Sequence, residues 1–314
     1  MIEPRTQPPF AYRMSGLNVE SDVALPMRAQ GPTGTAQTDV TFHVEEVPEH
    51  LDQVLHSGAN WEINETRFLL NLPEIGRFMA SDGRRLSIWP APDMPVDDVL
   101  IFAMGTGMSA LLYQRGAMML HASAVVRDGK AFLFCGPSGA GKSTLSAALS
   151  RAGCDFLSDD LSALIQPEVG SALIVPDGRA LRLFADSIDR LDMREAVGPR
   201  VRRQIDKFHV APPTVGDDGA GVPVAAIYML TYANEDQQPT IHRLPPLNAA
   251  QALLRQSYRR QIALAYADRS GLSARIGALV STIGVYHLSR PRDLDRLDET
   301  IETLTRHWDS AGQA

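Results

Sequence analysis

A glycine-rich run near the middle of the chain, residues 136–144, has the residue types and spacing of a phosphate-binding loop. It fits the Walker A pattern, in which a turn is followed at once by a helix. The backbone N–H groups of such a turn point into one concavity, and the helix dipole adds a favourable field for phosphate oxygens. Lys142 would reach the β- and γ-phosphates of a nucleotide, and the Ser143 hydroxyl would hold Mg²⁺. The predicted phosphate-binding residues are Gly136, Pro137, Ser138, Gly139, Ala140, Gly141, Lys142, Ser143 and Thr144. The alternative is a glycine-rich turn that binds no ligand.

Two adjacent acids follow a short distance downstream. Asp159 and Asp160 come directly after a predicted strand, residues 155–158, which we expect to run beside the loop. One carboxylate there can hold Mg²⁺, and the other can accept a proton from an attacking hydroxyl group. His121, two residues into an earlier predicted strand, could orient or charge-balance a carboxylate. The alternatives are a solvent-exposed Asp-Asp turn and an ordinary core histidine.

The sequence around these motifs predicts the elements that position them. Residues 130–135 indicate a buried strand before the loop, and residues 142–152 indicate a helix after it. Asp128 and Gly129 mark a tight hairpin turn that joins strand 119–127 to strand 130–135. Because a hairpin immediately precedes the loop, we expect a mixed sheet, not a purely parallel one. Further predicted strands are 161–166, 171–175, 224–231 and 284–288, and further predicted helices are 181–193, 249–265 and 294–308.

The first 95 residues differ from the remainder of the chain. They combine proline-rich punctuation with short strand-like runs, and they predict a small antiparallel β-rich domain. Apolar residues then recur at helical spacing. We therefore predict three parts: a β-rich N-terminal domain (1–95), a bridging helix (96–115) and an α/β (α+β) domain that carries the loop (116–314). The strand-like runs of the first part are 38–47, 67–72, 76–80 and 85–89.

Charge and composition limit the classes of partner. The 314-residue chain has a net charge of −7 and a pI near 5.6, so it offers no diffuse attraction to nucleic acid or to anionic lipid. The N-terminus has no secretion-signal pattern, and no run of eighteen apolar residues occurs, so we expect a cytoplasmic protein that does not enter a membrane. Cys135 and Cys154 are expected to be buried thiols, since two cysteines make no metal site.

Three short segments together resemble the catalytic core of the HPr kinase/phosphorylase family. They are residues 120–125, 136–144 and 157–160. That family places a phosphate loop on a fold similar to phosphoenolpyruvate carboxykinase. The start of the chain resembles short HPr-kinase-like proteins, a group that includes kinases of lasso-peptide precursors. Less specific similarity covers 12–17, 21–26, 176–178, 181–184, 206–208, 224–230 and 285–291.

The resemblance implies an ATP- and Mg²⁺-dependent kinase that phosphorylates a serine hydroxyl group of a small protein or precursor peptide. It makes Ser143 and Asp159 the metal ligands, and it favours Asp160 as the base. Lys207, with Arg203, would be a cation near the transferred phosphoryl group. Without the resemblance, residues 200–207 would be a solvent-exposed basic face. The implied catalytic residues are Asp160, Asp159, His121, Lys142 and Lys207.

The chain also departs from the family. Bifunctional members carry a glutamate in a Leu-Glu-Ile-Arg-Gly segment, whereas Arg182 stands at the comparable position here. No counterpart of their later glycine-rich signature is present, so phosphorylase activity is not expected. The short N-terminal part favours a precursor peptide over HPr, and it could dock an extended peptide along a strand edge. A homo-oligomer is a further expectation from the family. The alternatives are a small-molecule kinase and a nucleotide-dependent sensor that transfers nothing.

Overall fold

The chain folds into two compact units, each of mixed helices and strands. In the computed structural model, Met1–Met119 join Tyr258–Arg269 in the first unit, and Leu120–Ser257 join Ser270–Ala314 in the second. The structure describes residues 10–27, 37–165, 172–202, 205–213, 221–234, 236–266 and 269–311. Arg203, one of the two predicted cations, lies outside these residues.

The strands and helices are numbered in chain order. The strands are β1 (Phe10–Met14), β2 (Leu17–Ser21), β3 (Val40–Val44), β4 (His56–Ser57), β5 (Trp61–Ile63), β6 (Arg67–Leu72), β7 (Gly76–Ser81), β8 (Arg85–Pro90), β9 (Met118–Leu120), β10 (Ala122–Arg127), β11 (Lys130–Cys135), β12 (Asp155–Ser158), β13 (Ser162–Ile165), β14 (Leu173–Ile174), β15 (Leu181–Phe184), β16 (Val197–Arg202), β17 (Ile205–Val210), β18 (Val222–Tyr232), β19 (Thr240–Arg243) and β20 (Gly284–Arg290). The α-helices are α1 (Val96–Phe102), α2 (Met108–Gln114), α3 (Lys142–Arg151), α4 (Ala185–Arg190), α5 (Pro246–Gln256), α6 (Arg260–Tyr266), α7 (Arg269–Thr282) and α8 (Leu297–Ala311).

The first unit is organised around an eight-stranded sheet with the order β1-β2-β3-β8-β7-β6-β5-β4. Its hairpins are antiparallel, but the prediction of an antiparallel domain is wrong at β3, which is parallel to both β2 and β8. Asp82 and Gly83 turn the chain from β7 into β8. Both residues have left-handed backbone angles, with φ of 53° and 63°, as a type I′ hairpin turn requires. The sheet ends at β1 on one side and at β4 on the other.

The predicted bridging helix belongs to the first unit and is not regular. A π-helical turn, Ala103–Gly107, separates α1 from α2. A Cβ atom at Gly107 would lie 2.9 Å from Leu86 Cδ1, so the Leu86 side chain would have to shift to admit one. By length and composition alone, Val96–Gln114 could cross a membrane, but 61% of its most apolar stretch is buried inside the structure. Such burial is typical of a core helix in a soluble protein.

The second unit is built on a mixed sheet. Strands β11, β18 and β20 are mutually parallel, whereas β10 is antiparallel to both β11 and β12. The carboxyl ends of the three parallel strands therefore meet at one edge of the sheet. Helices α3 and α8 contribute buried residues to the core beside this sheet, where Phe132 stacks on Trp308 with ring centroids 4.1 Å apart. Cys135 and Cys154 are buried thiols, as predicted.

Strand β12 leads to the loop as predicted, since Asp159 directly after it contacts Ser143, although β10 separates β12 from β11. Two other expectations about the second unit were wrong. His121 lies between β9 and β10 and not inside one continuous strand. The predicted helix 181–193 begins as β15, because residues 181–184 pair with β17. Only the following residues form α4.

The predicted helix 249–265 is also interrupted. Ser257 has extended backbone angles, φ −56° and ψ 124°, and forms an isolated bridge with Leu120. Arg259 is left-handed, with φ of 46°. The chain therefore leaves α5 and turns before α6 begins, and α6 belongs to the first unit.

Candidate active site

The glycine-rich loop connects the carboxyl end of β11 to the first turn of α3. Gly139 and Gly141 have left-handed backbone angles, with φ of 81° and 78°, which glycine adopts at no steric cost. Gly141 precedes the helix, and its carbonyl oxygen accepts the Leu145 N–H at 2.9 Å. The loop thus delivers the chain to a helix N-terminus, where the backbone dipole favours an anion.

Lys142 is the first residue of α3 and folds back over the loop. Its Nζ atom donates to the carbonyl oxygens of Gly136 at 2.8 Å and Pro137 at 3.2 Å. The side chain is only 7% exposed. Burial lowers the pKa of its ammonium group from the ordinary lysine value. Lys142 is therefore a partly desolvated cation held at the loop.

Asp159 is the member of the acid pair that contacts the loop side chain Ser143. Its Oδ1 atom accepts from the hydroxyls of Ser143 at 2.8 Å and Ser123 at 2.5 Å, and its Oδ2 atom accepts from the Arg182 N–H at 3.2 Å. The residue is 3% exposed. A serine and a carboxylate oxygen side by side are suitable ligands for a hard cation such as Mg²⁺.

These two oxygens are a small donor set for a metal ion. Among the described residues, no group of three or more His, Cys, Asp or Glu side chains could hold a metal ion. Mg²⁺ usually binds through one or two protein oxygens and takes its other ligands from water and substrate phosphates. The donor set of Ser143 and Asp159 fits that mode.

Asp160 has a different environment from its neighbour. Its Oδ1 atom lies 3.1 Å from His121 Nδ1, and its Oδ2 atom lies 2.5 Å from Arg182 Nη2. Burial alone would raise the pKa of Asp160, but the charges of Arg182 and His121 hold it well below the ordinary value. Burial lowers the pKa of His121 against the opposing effect of Asp160. Asp160 is therefore an ionised carboxylate in a fixed position.

A cavity of about 470 Å³ brings most of the predicted residues together. Lys207, on β17, lines it with its ammonium 5.3 Å from the centre of the Phe184 ring, and burial lowers the pKa of Lys207. The lining residues are His121, Ser138, Gly139, Gly141, Lys142, Ser143, Thr144, Asp159, Asp160, Arg182, Phe184, Asp186, Ser187, Lys207, Tyr232, Arg290, Arg292 and Leu294. Gly136, Pro137 and Ala140 are not among them, and their carbonyl groups accept hydrogen bonds from Lys142 and Arg290 instead.

Sequence reasoning did not place several cavity residues in the site. Tyr232 donates its hydroxyl to the Gly139 carbonyl at 2.7 Å, and Arg290 donates to the Ala140 carbonyl at 3.1 Å. These two residues end β18 and β20, the strands parallel to β11. A signal was available, since the carboxyl ends of parallel strands lie at one edge. The pairing itself cannot be inferred from the two strands taken separately.

Comparisons with known proteins give little information about the function of this site. No family model matches the chain, and no curated protein matches it either. Among solved structures, the chain is similar to the Hpr(Ser) kinase/phosphatase from Coxiella burnetii, with 15% identity and a TM-score of 0.33. That match covers 62% of this chain and 99% of the other. A likeness this weak does not establish function, which must be inferred from the cavity.

Proposed function

We propose that the cavity binds ATP with Mg²⁺ and transfers the γ-phosphoryl group to a serine hydroxyl of a peptide or small protein. The 2.8 Å contact between Ser143 Oγ and Asp159 Oδ1 is the observation that carries this proposal. It unites the loop and the acid pair in one cavity, with Asp160 alongside. A phosphate site, a pair of oxygen ligands and an ionised carboxylate are the parts that phosphoryl transfer needs. The sequence resemblance supports ATP as donor and serine as acceptor.

The loop and Lys142 would bind the phosphate groups. The N–H groups at the N-terminus of α3 would hold phosphate oxygens, as would the Lys142 ammonium that contacts the loop carbonyls. Ser143 and Asp159 would hold Mg²⁺, which neutralises charge on the β- and γ-phosphates when bound. Lys207 would place a further positive charge where negative charge develops on the transferred group.

Asp160 would receive the proton. The acceptor Oγ forms a bond to the γ-phosphorus atom, the bond to the β–γ bridging oxygen breaks, and the hydroxyl proton passes to the carboxylate. Arg182 balances the charge of Asp160, and His121, with Nδ1 3.1 Å from Oδ1, helps to keep the carboxylate in place. A fixed, ionised acceptor near the hydroxyl favours in-line attack by positioning more than by basicity.

The first unit suggests a docking role for the acceptor. Its sheet ends at β1 and β4, and an extended peptide could pair with either edge. A precursor peptide, as in the lasso-peptide branch of the resemblance, fits that mode. Loss of acceptor-peptide affinity on removal of residues 1–95 would support docking, and unchanged affinity would exclude it.

The test is phosphoryl transfer by the full-length protein with Mg²⁺, ATP and serine-containing peptides, with the modified atom located by mass spectrometry. We expect Asp160→Asn to lower turnover by about 100-fold or more, because it removes the proton acceptor, with ATP affinity changed less than about threefold. Asp155→Asn, at the other end of β12 and outside the cavity lining, is the matched control. Phosphate found only on a metabolite would indicate a small-molecule kinase. If Asp160→Asn retains both ATP affinity and the protein's effect in the cell, the protein would be a nucleotide-dependent sensor that transfers nothing.

A further inference from the structure

Arg290 is a buried cation directly against the phosphate loop. It is the last residue of β20 and is only 2% exposed. Its side chain is among the largest fully buried ones in the described residues. Its Nη2 atom donates to the carbonyl oxygen of Ala140 at 3.1 Å and lies 3.5 Å from that of Gly141. Its guanidinium lies over the Tyr232 ring, 5.4 Å from the ring centre.

The charge of Arg290 has no anionic partner within the part of the chain that the structure describes. No carboxylate there forms an ion pair with it, and its buried Nε atom has no hydrogen-bond partner. Burying an uncompensated cation is costly, so such a residue needs a reason other than stability. The neighbouring cavity, which Arg290 itself lines, offers one.

Gly141 is shaped to receive this side chain. A Cβ atom at Gly141 would lie 2.1 Å from Arg290 Nη2, far closer than two such atoms approach. Gly139 is also left-handed, yet a Cβ atom there would meet nothing within 4 Å. Both glycines allow the left-handed backbone angles of the loop, but only the missing side chain of Gly141 also leaves room for the Arg290 guanidinium.

We propose that Arg290 is a positioning residue that sets the peptide orientation of the phosphate loop. In a trans peptide the C=O and N–H groups point in opposite directions. Because Arg290 donates to the Ala140 carbonyl, the N–H group of the same peptide, that of Gly141, points away from it and is available to phosphate. The next peptide is already oriented by α3, since the Gly141 carbonyl accepts the Leu145 N–H. Tyr232 supports the arrangement by holding the Gly139 carbonyl. The identity of the ligand as a nucleotide phosphate rests on the proposed function.

A planar guanidinium can serve several acceptors in a fixed geometry, whereas the lysine ammonium is a flexible point charge. Charge alone is therefore not enough for this role. Arg290→Lys keeps the charge and loses the planar group, and Arg290→Met keeps much of the volume and loses both. The two variants separate positioning from simple electrostatic attraction.

The experiment measures the affinity of the full chain for ATP and for inorganic pyrophosphate, together with Tm. We expect both Arg290 variants to bind each ligand about tenfold or more weakly. The Tm of Arg290→Met should be unchanged or higher, because a neutral side chain is cheaper to bury. Arg127→Met is the matched control, since Arg127 also lies over an aromatic ring, that of Trp308, but does not line the cavity.

The outcomes separate this inference from the proposed function. If the wild type binds and Arg290→Met or Arg290→Lys binds equally well, the positioning role is overturned and the proposed function stands. If the wild type binds neither ligand, both are overturned.

A second pair of variants does not depend on the folding of the Arg290 variants. Gly141→Ala and Gly139→Ala carry a similar backbone strain, but only the first displaces Arg290. We expect Gly141→Ala to weaken pyrophosphate binding several-fold more than Gly139→Ala. Equal losses from the two substitutions would overturn the positioning role.

Discussion

Asp159 and Asp160 are adjacent in the chain, yet their surroundings give them different chemistry. Asp159 accepts hydrogen bonds from two serine hydroxyls and one backbone N–H group. Asp160 instead pairs with Arg182 and faces His121. In the sequence the two acids are alike, and the division of roles could only be assigned through a resemblance. The two environments are consistent with the proposed division, because among the contacts of the described residues it is Asp159 that accepts from Ser143.

The ion pair between Arg182 and Asp160 predicts the pH dependence of activity. Asp160 must be ionised to accept a proton, and its pKa lies below the ordinary value, so the acid limb of kcat/KM should fall below the ordinary aspartate range. Arg182→Met removes the largest contribution that lowers this pKa, and the limb should move to higher pH. The same pair should stabilise the folded protein at neutral pH and lose that contribution as pH falls toward the folded-state pKa.

Rates measured from about pH 4 to 8 provide the check: the wild type should show no acid limb from Asp160 in this range, whereas Arg182→Met should lose rate toward its acid end. Arg200→Met is the control, because Arg200 is exposed, pairs with Asp206 and does not line the cavity. Profiles of the same shape for Arg182→Met and the wild type over this range would contradict the proposed role of the pair.

At the scale of elements, β15 explains how Arg182 reaches the acid pair. Leu181 and Leu183 are buried, whereas Arg182 and Phe184 face the cavity. This alternation is that of a strand. The sequence favoured a helix because the alternating run has only four residues and Ile188 follows at helical spacing. As a helix, residues 181–184 could not place Arg182 and Phe184 on a common face opposite the two leucines.

The strand also predicts a difference in stability between neighbouring residues. Leu183→Ala should lower the free energy of unfolding by about 2–4 kcal/mol, because it leaves a cavity in the core. Phe184→Ala should change it by less than about 0.5 kcal/mol, since Phe184 is 48% exposed. Urea denaturation of both variants measures the difference. Similar losses from the two substitutions would contradict the strand assignment.

The hydrophobic and turn patterns of the sequence predicted the strand and helix around the loop, but they did not predict which strands pair with each other. Strand β11 has the predicted bounds, and the loop and α3 follow it as expected. These features are encoded by neighbouring residues. The position of β12 beside β10, and the return of Tyr232 and Arg290 to the loop, depend on pairing between distant segments. One sequence alone contains little information about such pairing, so the resemblance of residues 285–291 to the family does not by itself place Arg290 at the loop.

At the scale of the whole molecule, the chain leaves the first unit and later returns to it. Helix α6 packs there against α2: the Tyr113 hydroxyl donates to the Tyr258 carbonyl, and the Tyr113 and Tyr266 rings stack with centroids 6.3 Å apart. Gln114 Nε2 also donates to the Tyr266 hydroxyl at 3.0 Å. The first unit is therefore discontinuous in sequence, and no linker composition marks the return.

This discontinuity predicts the behaviour of a truncated chain. A protein of residues 120–314 lacks Tyr113 and Gln114, so residues 258–266 lose the partners that bury them. We expect a lower Tm and new proteolytic cleavage within 258–266, measured by limited proteolysis with mass spectrometry. The full-length chain is the control. If residues 258–266 resist cleavage equally in both proteins, the packing described for α6 does not protect them.

In the proposed function, one cavity holds both a nucleoside triphosphate and the Mg²⁺ ion that accompanies it. Equilibrium titration of the full chain with ATP, in the presence and absence of Mg²⁺, tests this claim most directly. We predict that Mg²⁺ strengthens ATP binding by the wild type and that Ser143→Ala reduces the enhancement by about tenfold. Ser146→Ala, one turn further along α3 and outside the cavity lining, should leave it intact. Absence of ATP binding by the wild type, or an equal Mg²⁺ enhancement in Ser143→Ala, would contradict the account.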